Sequence, residues 1–371
     1  MYKDNPALGA KEAYVPGLTT EYVSKTYGIP IADVAKLGSA ENPFGPSPLA
    51  TEVVMSARKI ENYPDWTASA LREKVASKYG YQPEQVICGA GETEIFPWII
   101  RAYSGKGDKV LMFVPAFPIY HMVAENEGRV PVFIGMGDDL DFKWDDYLAA
   151  ITDDVRIVFL TNPHSPTGRL IPNDQIRTVC RAAKNQLVVL DEAYIHYSKT
   201  NGGMDLLREF DNLIVLRTFS KVYGLAGLRI GFAISTPEII APLMHLKPTW
   251  NMGALQTAGA VAALDDDAYV KKTVDTIAEM RDYVIDQIGK TLKGRYSVVG
   301  QPSSNFFMLR IDEPEQDSTT LFNELLKRGV IVKDGSVSFI GLGKRYLRID
   351  VSLKKHMDRL LRALSEIHPV R

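Results

Sequence analysis

The chain has 371 residues, 46% of them hydrophobic and 24% charged, with a formal net charge of -2. This is the composition of a globular protein with room for one large core and a second, smaller one, and it excludes the basic excess of a nucleic-acid binder. No stretch reaches the roughly 18 apolar residues of a membrane span, and the opening MYKDNPALGAKEAYVPG lacks the basic start and apolar run of a signal peptide, so a cytoplasmic protein is expected. Cys88 and Cys180 each lie in an apolar stretch without a partner at ligand spacing and read as buried free thiols; the histidines are scattered and form no metal motif.

Residues 1–48, with the turn-forming AENPFGPSP, read as an arm that packs on a small domain or on a partner. Residues 49–252 form a large domain. Its strands are expected at 86–88, 109–114, 156–161, 186–190, 212–218 and 229–235, all short, apolar and β-branched. Near-continuous apolar strands are covered on both faces, which predicts a mostly parallel α/β sheet. One helix between them carries Ile176, Val179, Cys180 and Ala183 on a single face, with Asn173 or Asp174 as its cap. A helical stretch over about 253–293 bridges to an α+β domain that ends the 253–371 unit, with strands at 305–311, 329–334 and 345–352 and a helix over STTLFNELLKRG.

Ligands of an open α/β sheet sit beyond the carboxyl ends of its strands. Those ends read GAGETE, PAFPIY, NPHSPTG, DEAY and FSK. Gly91, Glu92 and Thr93 open a helix whose first N–H groups are unpaired, either an anion site or a plain turn. Phe117 is a ring for stacking on a flat ligand or for closing the core. Asn162 aims its amide at one partner or makes an Asx turn. Asp191 ends a buried strand, so it needs a cation, either a protein side chain or a protonated ring nitrogen, unless it caps the following loop; Tyr194 lies three residues on. In SKVYGLAGLRIG the glycines let backbone approach a ligand. Lys221 sits among small and apolar residues, which favour the neutral, nucleophilic amine. Arg229 opens the next strand and offers a planar fork to a phosphate.

Together NPHSPTG, DEAY and SKVYGLAGLRIG, with 29 residues from Asn162 to Asp191 and 30 from Asp191 to Lys221, resemble the pyridoxal-phosphate-dependent aminotransferases of fold type I, class I/II. The resemblance covers nearly the whole chain, and YVPG, ENPFGPSP, the YPD at 63–65 and YLRIDV are most similar to the histidinol-phosphate aminotransferase branch. It implies a seven-stranded, mostly parallel sheet in the large domain, pyridoxal 5'-phosphate as cofactor and a homodimer. Lys221 would form the Schiff base and then move the Cα proton, and Asp191 would pair with the pyridinium nitrogen. Asn162 and Tyr194 would hold the ring oxygen, with Phe117 on the ring face. Ser220, Arg229 and the amides of Glu92 and Thr93, beside Gly91, would bind the phosphate, and Tyr63 would reach in from the other subunit. Arg348 would clamp a substrate carboxylate bidentately, with Tyr14, Asn162 and Lys333 lining the substrate.

The implied reaction is ping-pong amino transfer between histidinol phosphate and 2-oxoglutarate, an amino donor and a keto-acid acceptor. An aromatic or broad-specificity aminotransferase, a threonine-phosphate decarboxylase-like enzyme and a catalytically silent regulator are the alternatives. Three positions depart from the family pattern: Ala40 where an asparagine is usual, Glu92–Thr93 where Ser–Asp or Ala–Asp is common, and Lys333 in place of an arginine. A glutamate beside a phosphate is unfavourable unless only its N–H faces inward, and a lysine binds phosphate as a point charge without a bidentate fork.

Overall fold

The computed structural model describes residues 17–57, 60–137 and 139–367. Its strands are β1 (Ala35–Lys36), β2 (Val86–Gly89), β3 (Lys109–Val114), β4 (Val130–Gly135), β5 (Val155–Thr161), β6 (Leu187–Asp191), β7 (Leu213–Thr218), β8 (Gly231–Ile234), β9 (Tyr296–Val298), β10 (Phe306–Ile311), β11 (Val330–Ile331), β12 (Lys333–Asp334) and β13 (Tyr346–Asp350). The large sheet has seven strands in the order β2-β8-β7-β6-β5-β3-β4. Its neighbours are parallel except that β8 runs against both β2 and β7.

Alternate residues of each central strand enter opposite cores. Val188 and Leu190 of β6 pack in one core with Leu71, Ile176 and Val179. Leu187 and Val189 enter the other with Ile95, Ile99 and Tyr120. Helices on both faces leave neither side of these strands polar, which is why their sequences read as unbroken apolar runs. The edge strand β4 escapes that pattern: its residues are exposed or half-buried, and it carries Pro131, which an edge tolerates.

A second, antiparallel sheet has the order β12-β13-β10-β9. The described part of the arm packs near it: β1 pairs in parallel with β11, and Val23 and Val34 meet Leu326 and Ile331. The run 329–334, expected as one strand, is therefore two, and each serves a different sheet. The stretch 253–293 is likewise two helices, Ala254–Ala263 and Asp267–Thr291, the second capped by the Asp266 side chain. Helix Asn173–Ala182 begins after Pro172 without a side-chain cap, because Asn173 donates to Gly202 O and Asp174 pairs with Arg177. Cys88 and Cys180 are buried free thiols whose pKa burial pushes up to about 12. Among the described residues no helix is long and apolar enough to cross a membrane.

Glu192 and Arg217 form a buried ion pair. Arg217 Nη2 stands 2.8 Å from Glu192 Oε2, with the side chains 5% and 0% exposed. Glu192 Oε1 also accepts from the Gly203 amide at 2.5 Å, and Arg217 donates to Asn201 O at 2.7 Å. Removing one partner strands a buried charge, so Arg217→Met should cost about 3–5 kcal/mol in urea unfolding, and adding Glu192→Leu should restore much of it. A single-variant loss below about 1 kcal/mol, the range of exposed pairs, would contradict this.

Candidate active site

The carboxyl ends of β2, β3, β5, β6 and β7 lie on one rim. The chain re-enters the sheet at the same edge, since Gly231 at the start of β8 pairs with both Gly89 and Thr218. Arg229 stands just before that strand and outside it, in left-handed backbone with φ 55. A side chain in this sparsely populated region is held there by its surroundings. Its Nη2 donates to Thr93 Oγ1 and its Nη1 to Ser220 Oγ, both at 3.4 Å. Gly91 has φ 86, and a Cβ there would stand 2.5 Å from Arg229 Nη2, so only glycine admits the guanidinium. Two hydroxyls, a guanidinium and the start of helix Glu92–Tyr103 thus converge as an anion cradle. Gly224 has another purpose than approach to a ligand: a Cβ there would meet Gly45 O at 2.1 Å.

Glu92 differs from the favourable arrangement set out above. The residue is 9% exposed, and its Oε2 is buried without a hydrogen-bond partner. Burial and the neighbouring Asp191 carboxylate push its pKa well up, against the pull of Lys221 and Arg229.

Asp191, at the end of β6, is 2% exposed. Its hydrogen-bond partners are the Tyr120 hydroxyl at 2.5 Å and the Ala193 amide at 2.9 Å. Burial raises its pKa, while those two bonds and the charge of Lys221 hold it down. Among the described residues no cationic side chain forms an ion pair with it; Arg217, the nearby arginine, is committed to Glu192. The Ala193 bond caps the loop that follows the strand, and the charge of Lys221 is the protein cation that reaches the carboxylate.

Lys221 Nζ donates to Ser39 O at 3.3 Å and stands 5.2 Å from the Tyr194 ring centroid. Tyr194 in turn meets Phe306 edge-on at 4.8 Å. Asn162 is almost fully buried and spans Ile171, accepting from its N–H at 2.8 Å and donating to its carbonyl at 3.2 Å. One Nδ2 hydrogen is engaged there, and an amide NH2 carries two. Phe117 is half-buried and stands edge-on to Tyr120 at 5.7 Å.

The second sheet brings Lys333 directly opposite Arg348. Burial, and then the arginine's charge, lower the Lys333 pKa, while Asp350 opposes the shift. Like charges facing across strands repel, and the Asp350 carboxylate beside Arg348 offsets part of that repulsion. Arg348 lies 4.9 Å from the Phe306 ring centroid and 5.7 Å from that of Phe339. Its Nη2 donates to Gly38 O at 3.2 Å and stands 3.2 Å from Asp350 Oδ1, whereas its Nε is buried without a partner. Tyr63 is 80% exposed and stacks on Trp250 at 4.6 Å rather than on any of these residues. Tyr14 lies outside the described residues.

Three contributors escape the sequence reading. Tyr120 lies three residues after Phe117, so the signal was its position in the first turn of the helix after β3. Ser39 acts through its carbonyl, which leaves no side-chain signature. Asp350 lies two residues beyond Arg348 on one strand and so shares its face; its Oδ2 accepts from the Ala40 amide at the position where the family asparagine is missing.

Tyr120→Phe removes a donor from an ionised acceptor and should cost about 1.5–3 kcal/mol of stability. The bond favours the carboxylate form, so the deficit is full above the raised pKa of Asp191 and fades as the pH falls through it. Melting temperatures of both proteins across acidic and neutral pH check this, and a pH-independent deficit would contradict it.

Residues 32–364 match the family model for aminotransferase class I and II. A histidinol-phosphate aminotransferase of Anaeromyxobacter sp. is 35% identical over 367 residues, 98% of each chain. One from Methanosphaera stadtmanae is 30% identical over 370 residues, 99% of each chain. The solved structure of histidinol-phosphate aminotransferase from Sinorhizobium meliloti in complex with pyridoxal-5'-phosphate superposes with a TM-score of 0.86 at 24% identity, covering 99% of this chain and 98% of that one. The chain belongs to the class I and II aminotransferases, pyridoxal-phosphate-dependent enzymes that transfer amino groups.

Proposed function

We propose that this aminotransferase interconverts imidazole acetol phosphate and L-glutamate with L-histidinol phosphate and 2-oxoglutarate, a step of histidine biosynthesis. The observation that carries the substrate choice is Lys333 directly opposite Arg348, two cations on neighbouring strands that together present positive charge to a phosphorylated substrate. The histidinol-phosphate aminotransferases at 30–35% identity over nearly full length support the same choice.

The residues present fit the cofactor. The cradle of Thr93, Ser220, Arg229 and the first amides of helix Glu92–Tyr103 suits its phosphate. Asp191, buried and in no ion pair among the described residues, suits its ring nitrogen. Asn162 and Tyr194 would face the ring oxygen, and Phe117 the ring. Bound there, pyridoxal phosphate supplies the electron sink that acidifies the substrate Cα proton. Lys221 Nζ, positioned by Ser39 O, holds the cofactor and then takes and returns that proton. Arg348 offers its unpartnered Nε to the substrate anion, and Lys333 adds a second positive charge; a bidentate grip through Nη2 would compete with Gly38 O and Asp350. Tyr14 would complete the substrate end.

The proposal includes a homodimer of units divided at 1–48, 49–252 and 253–371. Met55, Ile60, Tyr63 and Trp250 are exposed apolar or aromatic side chains, and Tyr63 joins a cofactor site only if a partner subunit receives it. Buried thiols at Cys88 and Cys180 accord with a cytoplasmic enzyme.

An amino-donor panel with 2-oxoglutarate, scored for keto product and carbon dioxide, tests the assignment. Lys333→Ala should raise KM for histidinol phosphate about 10- to 100-fold, the range of one lost charged hydrogen bond, and change phenylalanine little. Equal losses on both donors would remove the phosphate-reading role of Lys333. Carbon dioxide from phosphothreonine with no keto product from histidinol phosphate would replace the assignment with a decarboxylase.

A further inference from the structure

Glu92 begins the helix that points into the anion cradle, yet its carboxyl takes no part in the bonds that build it. Arg229, whose charge reaches it, donates to Thr93 Oγ1, Ser220 Oγ and Ala226 O instead. Glu92 is more than nine-tenths buried, and its Oε2 has no partner and no exposed surface. The groups whose charge it feels are Asp191 at the end of β6, Lys221 after β7 and Arg229 before β8. Its own charge in turn reaches the Tyr120 hydroxyl on helix Ile119–Asn126.

An ionised Glu92 would add a second carboxylate to a buried site that already holds Asp191 and would receive a phosphate dianion, with no hydrogen bond at Oε2 to compensate. Like charges sharing a buried site are relieved when one of them takes up a proton. Asp191 already accepts two hydrogen bonds, which favour its charged form. Glu92 accepts none at Oε2, so the proton belongs there. A neutral carboxylic acid has one O–H to donate, and every other side chain of the cradle also presents donors.

We propose that Glu92 acts here as a neutral acid that donates a hydrogen bond to bound pyridoxal phosphate, so that the protein holds its cofactor less tightly once Glu92 ionises. This rests on the cofactor reading above, and it adds a pH sensitivity carried by a residue that departs from the family pattern. The upward shift of the Glu92 pKa by burial and Asp191 agrees with it. Glu92→Gln keeps a donor and the shape but cannot ionise. Glu92→Ala removes the donor altogether.

The test measures dissociation constants of apo-protein for pyridoxal phosphate by absorbance, with inorganic phosphate as a competitor that forms no bond to Lys221, from about pH 6 to about pH 9, a span that includes the range of strongly shifted buried glutamates. Titration of the ligands themselves is common to all proteins, so the ratio to wild type isolates Glu92. Wild type should lose affinity relative to Glu92→Gln by about tenfold or more across this range, while Glu92→Ala binds weakly throughout. Parallel wild-type and Glu92→Gln profiles with tight binding would overturn the Glu92 proposal and leave the cofactor reading intact. No binding of pyridoxal phosphate by wild type at any pH would overturn the cofactor reading itself.

Discussion

A carboxylate at the end of a buried strand, in no ion pair among the described residues, is the constraint on which the site depends. Two acids stand side by side here, and the fold treats them differently. Glu192 meets the buried guanidinium of Arg217 and forms a closed structural pair. Asp191, one residue earlier, turns away from that pair and accepts from the Tyr120 hydroxyl and the Ala193 amide. Leaving an acid in that condition is costly unless a ligand brings the charge. On the proposed reading a ring nitrogen that is protonated when bound would meet this need, and the anion cradle would hold the other end of the same small molecule.

The backbone of residues 37–40 hydrogen-bonds to both Lys221 and the second sheet. Asp350 N donates to Leu37 O, and Asp350 Oδ2 accepts from the Ala40 amide. Asn305 donates to Ala40 O at 3.3 Å, Arg348 to Gly38 O, and Lys221 to Ser39 O. The four residues 37–40 therefore lie between Lys221, which follows β7, and Arg348 of β13. Ala40 is in left-handed backbone with φ 48, and the Asp350 carboxylate that anchors its amide helps explain how this chain tolerates alanine there.

Much of this was legible in the sequence because strand ends and ligand contacts coincide in such sheets. Lys221, Asp191, Asn162, Ser220 and Arg229 each follow or flank a strand whose apolar run marks it. What stayed hidden has physical causes. The strand β4 is an edge element and lacks the doubly buried pattern. The left-handed backbone of Arg229 cannot be read from a non-glycine residue, so the arginine was expected inside β8. The run 329–334 is apolar enough for one strand, and only tertiary pairing divides it between β1 and β13. The inward turn of the Glu92 carboxyl and the Asp350 contact with Arg348 depend on which way a side chain points, and composition carries no signal for that.

The role given to Asp191 makes two demands that pull in opposite directions on one variant. Asp191→Asn keeps an acceptor for the Ala193 amide and removes the buried charge. Apo-protein carrying it should therefore melt no lower than wild type, yet bind pyridoxal phosphate about 100-fold more weakly, a loss near 3 kcal/mol. Calorimetric melting of the apo-proteins paired with cofactor titration at neutral pH reads both at once. A variant that is less stable as apo-protein but binds the cofactor as tightly as wild type would show Asp191 to be a structural acid, and the partner of the ring nitrogen would have to be sought elsewhere.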